Sequence, residues 1–303
     1  MTTPRYIITT ARGLLCVGGE DRVGFLQGLL SNDVARVTAE RSLYATLLTP
    51  QGKFLHDLFI AESDGSLLID CESARLADLQ KRLSMYRLRA KVTIGAPESV
   101  LAVALAFGEG IAARFGLPEE PGVTRRLGGG VAFVDPRLPR LGVRAILPTE
   151  EAASTLDDLG LTPGTHEAYD MMRVRAGVPD GSRDMPVDGA ILLENGIDAL
   201  NGVDWRKGCY MGQELTARTH YRGLIKRRLM PVSVEGPAPQ PGTDVHLGDK
   251  PVGTMRSVVS GDGAASGLAL IRLDAVDQAK ESGAVLTAGD AILTPCKPDW
   301  ANY

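Results

Sequence analysis

An α+β fold that finishes in a small β-barrel is what this chain predicts, on three observations. Period-two apolar runs (YIITT, GLLCV, LYATLLT, KFLHDLFIA, SLLIDC) are interrupted by two segments whose apolar spacing is three and four. Helices and strands alternate without a repeated strand-helix-strand unit, which argues against a doubly wound parallel sheet. From about Leu229 only short β-runs remain, RLMPVSVEG, TDVHLGDKPVGTMRSVVSG, SGLALIRL and AVLTAGDAILTP, broken by Gly-rich turns at the spacing of a small barrel.

The elements follow in order. YIITT and GLLCV read as strands, and Asp21 to Leu30 as a helix with Val23, Leu26, Leu29 and Leu30 on one face. LYATLLT and KFLHDLFIA are strands joined through PQG, and an SDGS turn delivers SLLIDC. Leu76, Leu79, Leu83 and Tyr86 then mark a second helix, ended by VTIGAP. The Gly-rich piece at residues 108–130 reads as a surface excursion between the strands SVLAVALAF and VAFVD. RLGVRAILP, a helix near Glu150 to Leu159 and the helix HEAYDMMRVRAG follow. The last takes Thr165 as N-cap, stops at Gly177 and buries Tyr169, Met172 and Ala176. The long loop after it, GVPDGSRDMPVDGAILLENGIDAL, is of the irregular kind that carries binding surfaces.

Composition bounds the function classes. With 303 residues the chain has room for two or three cores. Its 44% hydrophobic and 23% charged residues are those of a globular protein, and no apolar run approaches the eighteen or so residues of a membrane span. A net charge of -4 gives no general attraction to nucleic acid or anionic membrane, and the opening MTTPRYIITT lacks the pattern of a leader, so the expected address is cytoplasmic. Four cysteines, Cys16, Cys71, Cys209 and Cys296, stand far apart without C-x-x-C spacing, so a resident metal cage is not expected.

KGCYMGQELTARTHYRG, residues 207–223, concentrates the chemistry. Gly208 and Gly212 allow a sharp turn, and Gln213 starts a helix in which Glu214 and Arg218 stand at i and i+4. Cys209 then lies near a helix N-terminus beside Arg206 and Lys207, which favours the thiolate and draws the pKa down from about 8.5 toward neutrality. The alternative is a cysteine packed in a Gly-turn. Arg206, Lys207, Arg218, Arg222, Lys226, Arg227 and Arg228 form a basic cluster with Glu214 its only acid, suited to an anion or an acidic partner, or else simply a solvated face. RNA binding is disfavoured, because aromatic interleaving stops at Tyr210 and Tyr221. His220 has no adjacent group to complete a triad.

The pattern K-G-C-Y-x-G-Q-E, followed by A-R and R-G, resembles the signature of the YgfZ family, folate-binding proteins that act late in [4Fe-4S] cluster maturation. GLIKRRLMPV fits the same resemblance. DRVGFLQGLLSNDV and LYATLLTPQGKFLHDL are similar to a pattern this family shares with the glycine-cleavage aminomethyltransferases. The resemblance implies two intertwined α+β subdomains around a folate channel, divided as 1–107 and 108–228, and a β-barrel at 229–303. It places Lys207, Gly208, Cys209, Tyr210, Gly212, Gln213, Glu214 and Arg218 on the family motif. Of these, Cys209 and Lys207 are carried over as functional groups, and Tyr210, Gln213, Glu214 and Arg218 as cofactor contacts. Asp57 falls where the aminomethyltransferases keep an acid beside the reactive folate nitrogen, with His56 in place of their preceding Asp. Arg175 stands where a pterin-binding Glu is expected, and Glu194 in LLENG is the substitute.

The function so implied is tetrahydrofolate binding with help in assembling, inserting or repairing [4Fe-4S] clusters. Cys209 is then a transient cluster ligand, and iron-sulfur assembly proteins and client enzymes are the partners. The alternative is a folate-dependent one-carbon transferase in which Asp57 steers protonation.

Overall fold

The computed structural model describes residues 3–223, 225–261 and 264–302; Leu224 of the GLIKRRLMPV run lies outside them. The chain forms two compact units whose segments interleave. Unit 1 takes residues 1–48, 55–165 and 201–211, and unit 2 takes 49–54, 166–200 and 212–303.

Unit 1 holds β1 (Arg5–Thr9), β2 (Arg12–Gly18), α1 (Arg22–Gln27), β3 (Leu43–Leu48), β4 (Phe54–Ser63), β5 (Ser66–Glu72), α2 (Leu76–Tyr86), β6 (Thr93–Gly95), β7 (Leu101–Phe107), α3 (Ile111–Arg114), β8 (Thr124–Leu127), β9 (Gly130–Val134), β10 (Val143–Pro148), α4 (Ala152–Asp158) and β11 (Thr162–Pro163). Its strands make a five-stranded sheet ordered β3-β4-β5-β2-β6 and a six-stranded sheet ordered β11-β1-β7-β10-β9-β8. Side-chain alternation decides what each face carries. Leu15, Val17, Leu58, Ile60 and Ile69 enter a core that α2 closes with Leu79 and Leu83. Each such burial stabilises by about 1.5–3 kcal/mol.

The opposite register of the same strands bears Arg12, Tyr44, Asp57, Phe59 and Asp70, all buried. These charges are matched inside unit 1. Arg12 donates to Asp70 Oδ1 at 2.6 Å and to Asp57 Oδ1 at 3.1 Å, and Arg144 of β10 donates to Asp70 Oδ2 at 2.6 Å. Arg137 pairs with Asp135 at 2.8 Å, and Arg144 Nε lies 3.5 Å from Asp135 Oδ2. Burial pushes the Asp135 carboxyl up, but Arg137 and Arg144 outweigh it and hold it below the usual carboxylate range. Phe59 lies under these cations, with the Arg144 guanidinium 3.5 Å and that of Arg137 4.8 Å from its ring centre. Three arginines thus balance three aspartates in a buried network, the arrangement that buried charge requires.

The segment at residues 108–130 corrects an expectation. It is not a surface excursion: α3 buries Ile111 and Ala112, Phe115 and Leu117 join the same core, and Thr124–Leu127 pairs with β9 as a hairpin. The apolar spacing 111, 112, 115 was readable, but the surrounding glycines masked it. VTIGAP does not simply end α2; its first part forms β6, paired with β2. Tyr86, expected in the buried stripe of α2, is exposed.

Unit 2 holds α5 (His166–Arg175), α6 (Gly181–Asp184), α7 (Gln213–Tyr221), β12 (Arg227–Glu235), β13 (Asp244–Leu247), β14 (Lys250–Gly261), β15 (Ala264–Arg272), α8 (Leu273–Ser282), β16 (Leu286–Ala288) and β17 (Ala291–Pro295). The six strands close into a barrel ordered β12-β15-β14-β13-β16-β17, which removes open strand edges. The helix α8 inside this run is additional to the β-only reading. Tyr169 of α5 and Ala176 just past its end are buried as expected, whereas Met172 is only half-buried and Arg173 takes the inner position. Arg173 is satisfied there by Asp184 at 2.7 Å, Asp170 at 3.0 Å, the Val178 carbonyl at 2.9 Å and Ser257 Oγ of β14 at 3.0 Å. The terminal segment returns to α5, where Trp300 Nε1 donates to the Ala176 carbonyl at 2.7 Å.

Candidate functional site

The site is built in unit 1 by two chain segments that sequence distance keeps apart, the turn after α1 and the loop 201–211. Ser31 Oγ donates to the Gly202 carbonyl at 2.6 Å, Asn32 Nδ2 to the Asn201 carbonyl at 2.7 Å, and the Asp204 amide to the Ser31 carbonyl at 3.0 Å. Further along, Lys207 Nζ donates to the carbonyls of Gln27 at 2.6 Å and Leu30 at 2.5 Å. The Met211 amide closes the seam on the Gly28 carbonyl at 3.0 Å. The partners of Lys207 and Met211 are carbonyls at the end of α1 and the turn after it, which lack donors within the helix.

Cys209 therefore sits on a loop fastened on both sides, at 207 and at 211, and its side chain is exposed. Gly208 beside it adopts φ +88 with open space where a Cβ would stand, so it serves backbone conformation and not close packing. Tyr210 turns inward, is buried, and lies under the Lys207 ammonium, 5.1 Å from ring centre to Nζ. Burial draws Lys207 down to about 8, against the opposing pull of Asp33 and Asp204. Lys207 thus serves as a fastener of the loop, with its charge directed into carbonyls. A cavity of about 280 Å³ opens beside the seam, and the charges in its lining, Arg36, Arg41, Asp33, Glu120 and Asp204, are of mixed sign.

The remaining motif residues belong to unit 2. Gly212 caps α7 with φ +79, and Gln213 follows half-buried. The PQG turn meets this helix start: a Cβ on Gly52 would stand 2.6 Å from the Gly212 carbonyl and 2.6 Å from Leu215 Cβ. Glu214 and Arg218 are both exposed, and the expected i, i+4 ion pair between them is not formed among the described residues. Of the basic cluster, Arg206, Arg218, Arg222, Lys226 and Arg227 are exposed. Arg228 is buried and donates to the Leu193 carbonyl at 2.7 Å. Glu194, next to that carbonyl, is half-buried and its carboxylate has no hydrogen-bond partner among the described residues. Burial raises its pKa, with Arg227, Lys53 and Arg228 acting in the other direction.

Asp57 is placed differently from the motif residues. One carboxylate oxygen accepts from Arg12, and the other is buried without a hydrogen-bond partner among the described residues. His56, on the other face of β4, pairs with Asp78 at 2.9 Å, and burial lowers its pKa to about 4. The sequence reading missed Arg12, Asp70, Asp135, Arg137 and Arg144. The available signal was a charge at a core register of a strand, as in LLIDC and GVRAIL. Among the described residues, no three His, Cys, Asp or Glu side chains gather as a metal site.

Comparison with known proteins places the chain in a family. Residues 226–303 match the family described as CAF17, C-terminal beta-barrel domain. The chain is 35% identical to the mouse mitochondrial iron-sulfur cluster assembly factor IBA57, over 95% of this chain and 83% of the mouse protein. The chain belongs to the IBA57 family. The human IBA57 protein is 36% identical over 76% of this chain and 67% of its own length. A Mycosarcoma maydis IBA57 homologue is 35% identical over 78% of this chain, which spans 58% of that fungal protein.

The motif resemblance was to YgfZ, whereas the matched IBA57 proteins set the family name that the comparison supports. Their mitochondrial names overturn the cytoplasmic expectation, for a fold and a surface charge do not record a cellular address. The fold of this IBA57-family chain is aminomethyltransferase-like. It superposes with a TM-score of 0.78 and 15% identity on the glycine cleavage system aminomethyltransferase T from Bartonella henselae, covering 99% of this chain and 86% of that one.

Proposed function

We propose that the chain assists iron-sulfur cluster assembly with Cys209 as a transient ligand of the cluster, and that it binds tetrahydrofolate through Glu194. The observation that carries the first part is the Cys209 loop. Its thiol is exposed while Lys207 and Met211, two positions to either side, are fastened to the end of α1 and the turn after it. One thiolate supplies one of the four ligands that a [4Fe-4S] cluster takes, so the others come from an assembly protein or a client enzyme. A ligand set completed in trans suits hand-over better than storage. The names of the mouse and human relatives support the coarser reading, a part in iron-sulfur cluster assembly, and the machinery of that assembly is the partner class.

Folate is the cofactor of the proposal. The unpartnered, half-buried Glu194 carboxylate fits the amidine-like edge of a pterin, which offers two parallel donors. When bound, tetrahydrofolate supplies a reduced, electron-rich ring. The transferase reading is less well supported, because Asp57 gives one oxygen to Arg12 and keeps the other buried.

Two measurements test the reading. Cys209→Ser should remove the support of [4Fe-4S] enzyme activity in cells lacking the native protein, with unchanged far-UV circular dichroism; full support by the variant rules out the thiol role. Anaerobic calorimetry with tetrahydrofolate should show saturable binding in the wild type and in Cys209→Ala, weakened about tenfold or more in Glu194→Gln. Equal affinity in Glu194→Gln rules out the pterin contact.

A further inference from the structure

We propose that the end of α2 and the turn after it, residues 84–89, form a docking surface for an acidic protein segment that carries apolar side chains. The helix buries Leu79 and Leu83 in the core, and then every residue from Ser84 to Arg89 is exposed. Three of these six are large and apolar: Met85 is 66% exposed, Tyr86 40% and Leu88 87%. The turn is an ordered one, with the Arg87 amide on the Ser84 carbonyl at 3.3 Å and the Ala90 amide on the Arg87 carbonyl at 2.8 Å.

Leu88 adopts φ +43, a left-handed conformation that asparagine or glycine takes at far lower cost. A leucine held there and turned to solvent gains nothing for the fold from its side chain, so its use lies outside the chain. Methionine, tyrosine and arginine are also the residue types enriched where proteins meet.

Charge names the occupant. Residues 81–91, KRLSMYRLRAK, contain five basic side chains and no acid, in a chain whose net charge is -4. Arg82 is engaged by Asp78 at 2.8 Å, and Lys91 by Glu20. Lys81, Arg87 and Arg89 have no ion-pair partner among the described residues. Three uncompensated cations around exposed apolar side chains complement a segment of Asp and Glu interspersed with Leu or Phe. A single turn is too small for the continuous apolar face of a membrane-lying helix, and one tyrosine is no stacking platform for bases.

The test uses the full chain and fluorescence anisotropy with a labelled peptide of Glu, Asp, Leu and Phe. Its Gln/Asn counterpart, phosphatidylserine-containing vesicles and a single-stranded uridine oligonucleotide serve as competing probes. Saturable binding of the acidic peptide is expected, weakened about tenfold or more in Leu88→Asn and in the pair Arg87→Glu with Arg89→Glu. Leu88→Asn retains the left-handed turn, and an unchanged thermal midpoint separates lost docking from lost fold. Undiminished binding in both variants overturns the proposal, as does tighter binding of the vesicles, the oligonucleotide or the Gln/Asn peptide.

Discussion

Lys207 Nζ lies 2.6 Å from the Gln27 carbonyl oxygen, so the lysine two residues before the exposed cysteine caps a helix 180 positions earlier in the chain. Lys207→Met leaves the Gln27 and Leu30 carbonyls without this donor and should cost about 1–2 kcal/mol. It should also lower hydrogen-exchange protection of the Met211 amide, which closes the same seam. Protection equal to wild type would show that the loop holds without the lysine. The burial that draws Lys207 down to about 8 adds a pH signature. The unfolded chain keeps the proton up to about 10.4, so between these values it binds more protons than the fold, and the lysine's contribution should rise with pH. The stability difference between wild type and Lys207→Met should widen from pH 8 to pH 10.

The four thiols should separate by alkylation of the native protein. Cys209 and Cys296 are exposed, while Cys71 is buried and its thiol is pushed up to about 12 by that burial. Intact-mass analysis after brief iodoacetamide treatment should show adducts at Cys209 and Cys296 first. Cys71 should react only on unfolding, and its early modification would mean that the five-stranded sheet opens.

His56 predicts a loss of stability in acid. Its pKa is lowered to about 4 by burial and by Arg75, with Asp78 opposing, so the imidazole is neutral in the fold. The unfolded chain takes up the proton near 6.5, so the contribution is complete above that value and fades as pH falls toward 4. The loss is on the order of 3 kcal/mol at its fullest. In urea titrations from pH 7 to pH 4, His56→Asn should flatten this part of the profile. An identical slope in the variant would place the acid sensitivity elsewhere.

Arg173→Met should be among the most destabilising single changes, at about 3–5 kcal/mol, because it strands the buried Asp184 carboxylate and removes the bond to Ser257. The midpoint of urea unfolding measures this directly. A change within 1 kcal/mol or so would show that water reaches Asp184 and replaces the guanidinium.

Much of this was legible from local pattern. Most strands of the two sheets, the helix at Leu76–Tyr86 and the barrel follow from apolar spacing, because a strand or helix buries whichever face its period makes apolar; the short β6, β8 and β11 carry too few residues to show a period. The Gly-rich region around Ile111 misled because glycine marks turns but says nothing of the apolar residues between them. Arg173 and Arg12 were illegible as core residues, since a charge is admitted to the interior only when its partners arrive from elsewhere.

For the candidate site, the sequence by itself determined the residue types: one cysteine between two glycines, a lysine before it and a tyrosine after it. Only the tertiary structure decided their roles. Lys207 fastens, Tyr210 packs and Cys209 faces solvent because the end of α1 offers carbonyls without donors, and the loop 201–211 meets them there. Hydrogen bonds across some 180 residues depend on which chain segments the two sheets bring together, and no local pattern encodes that meeting.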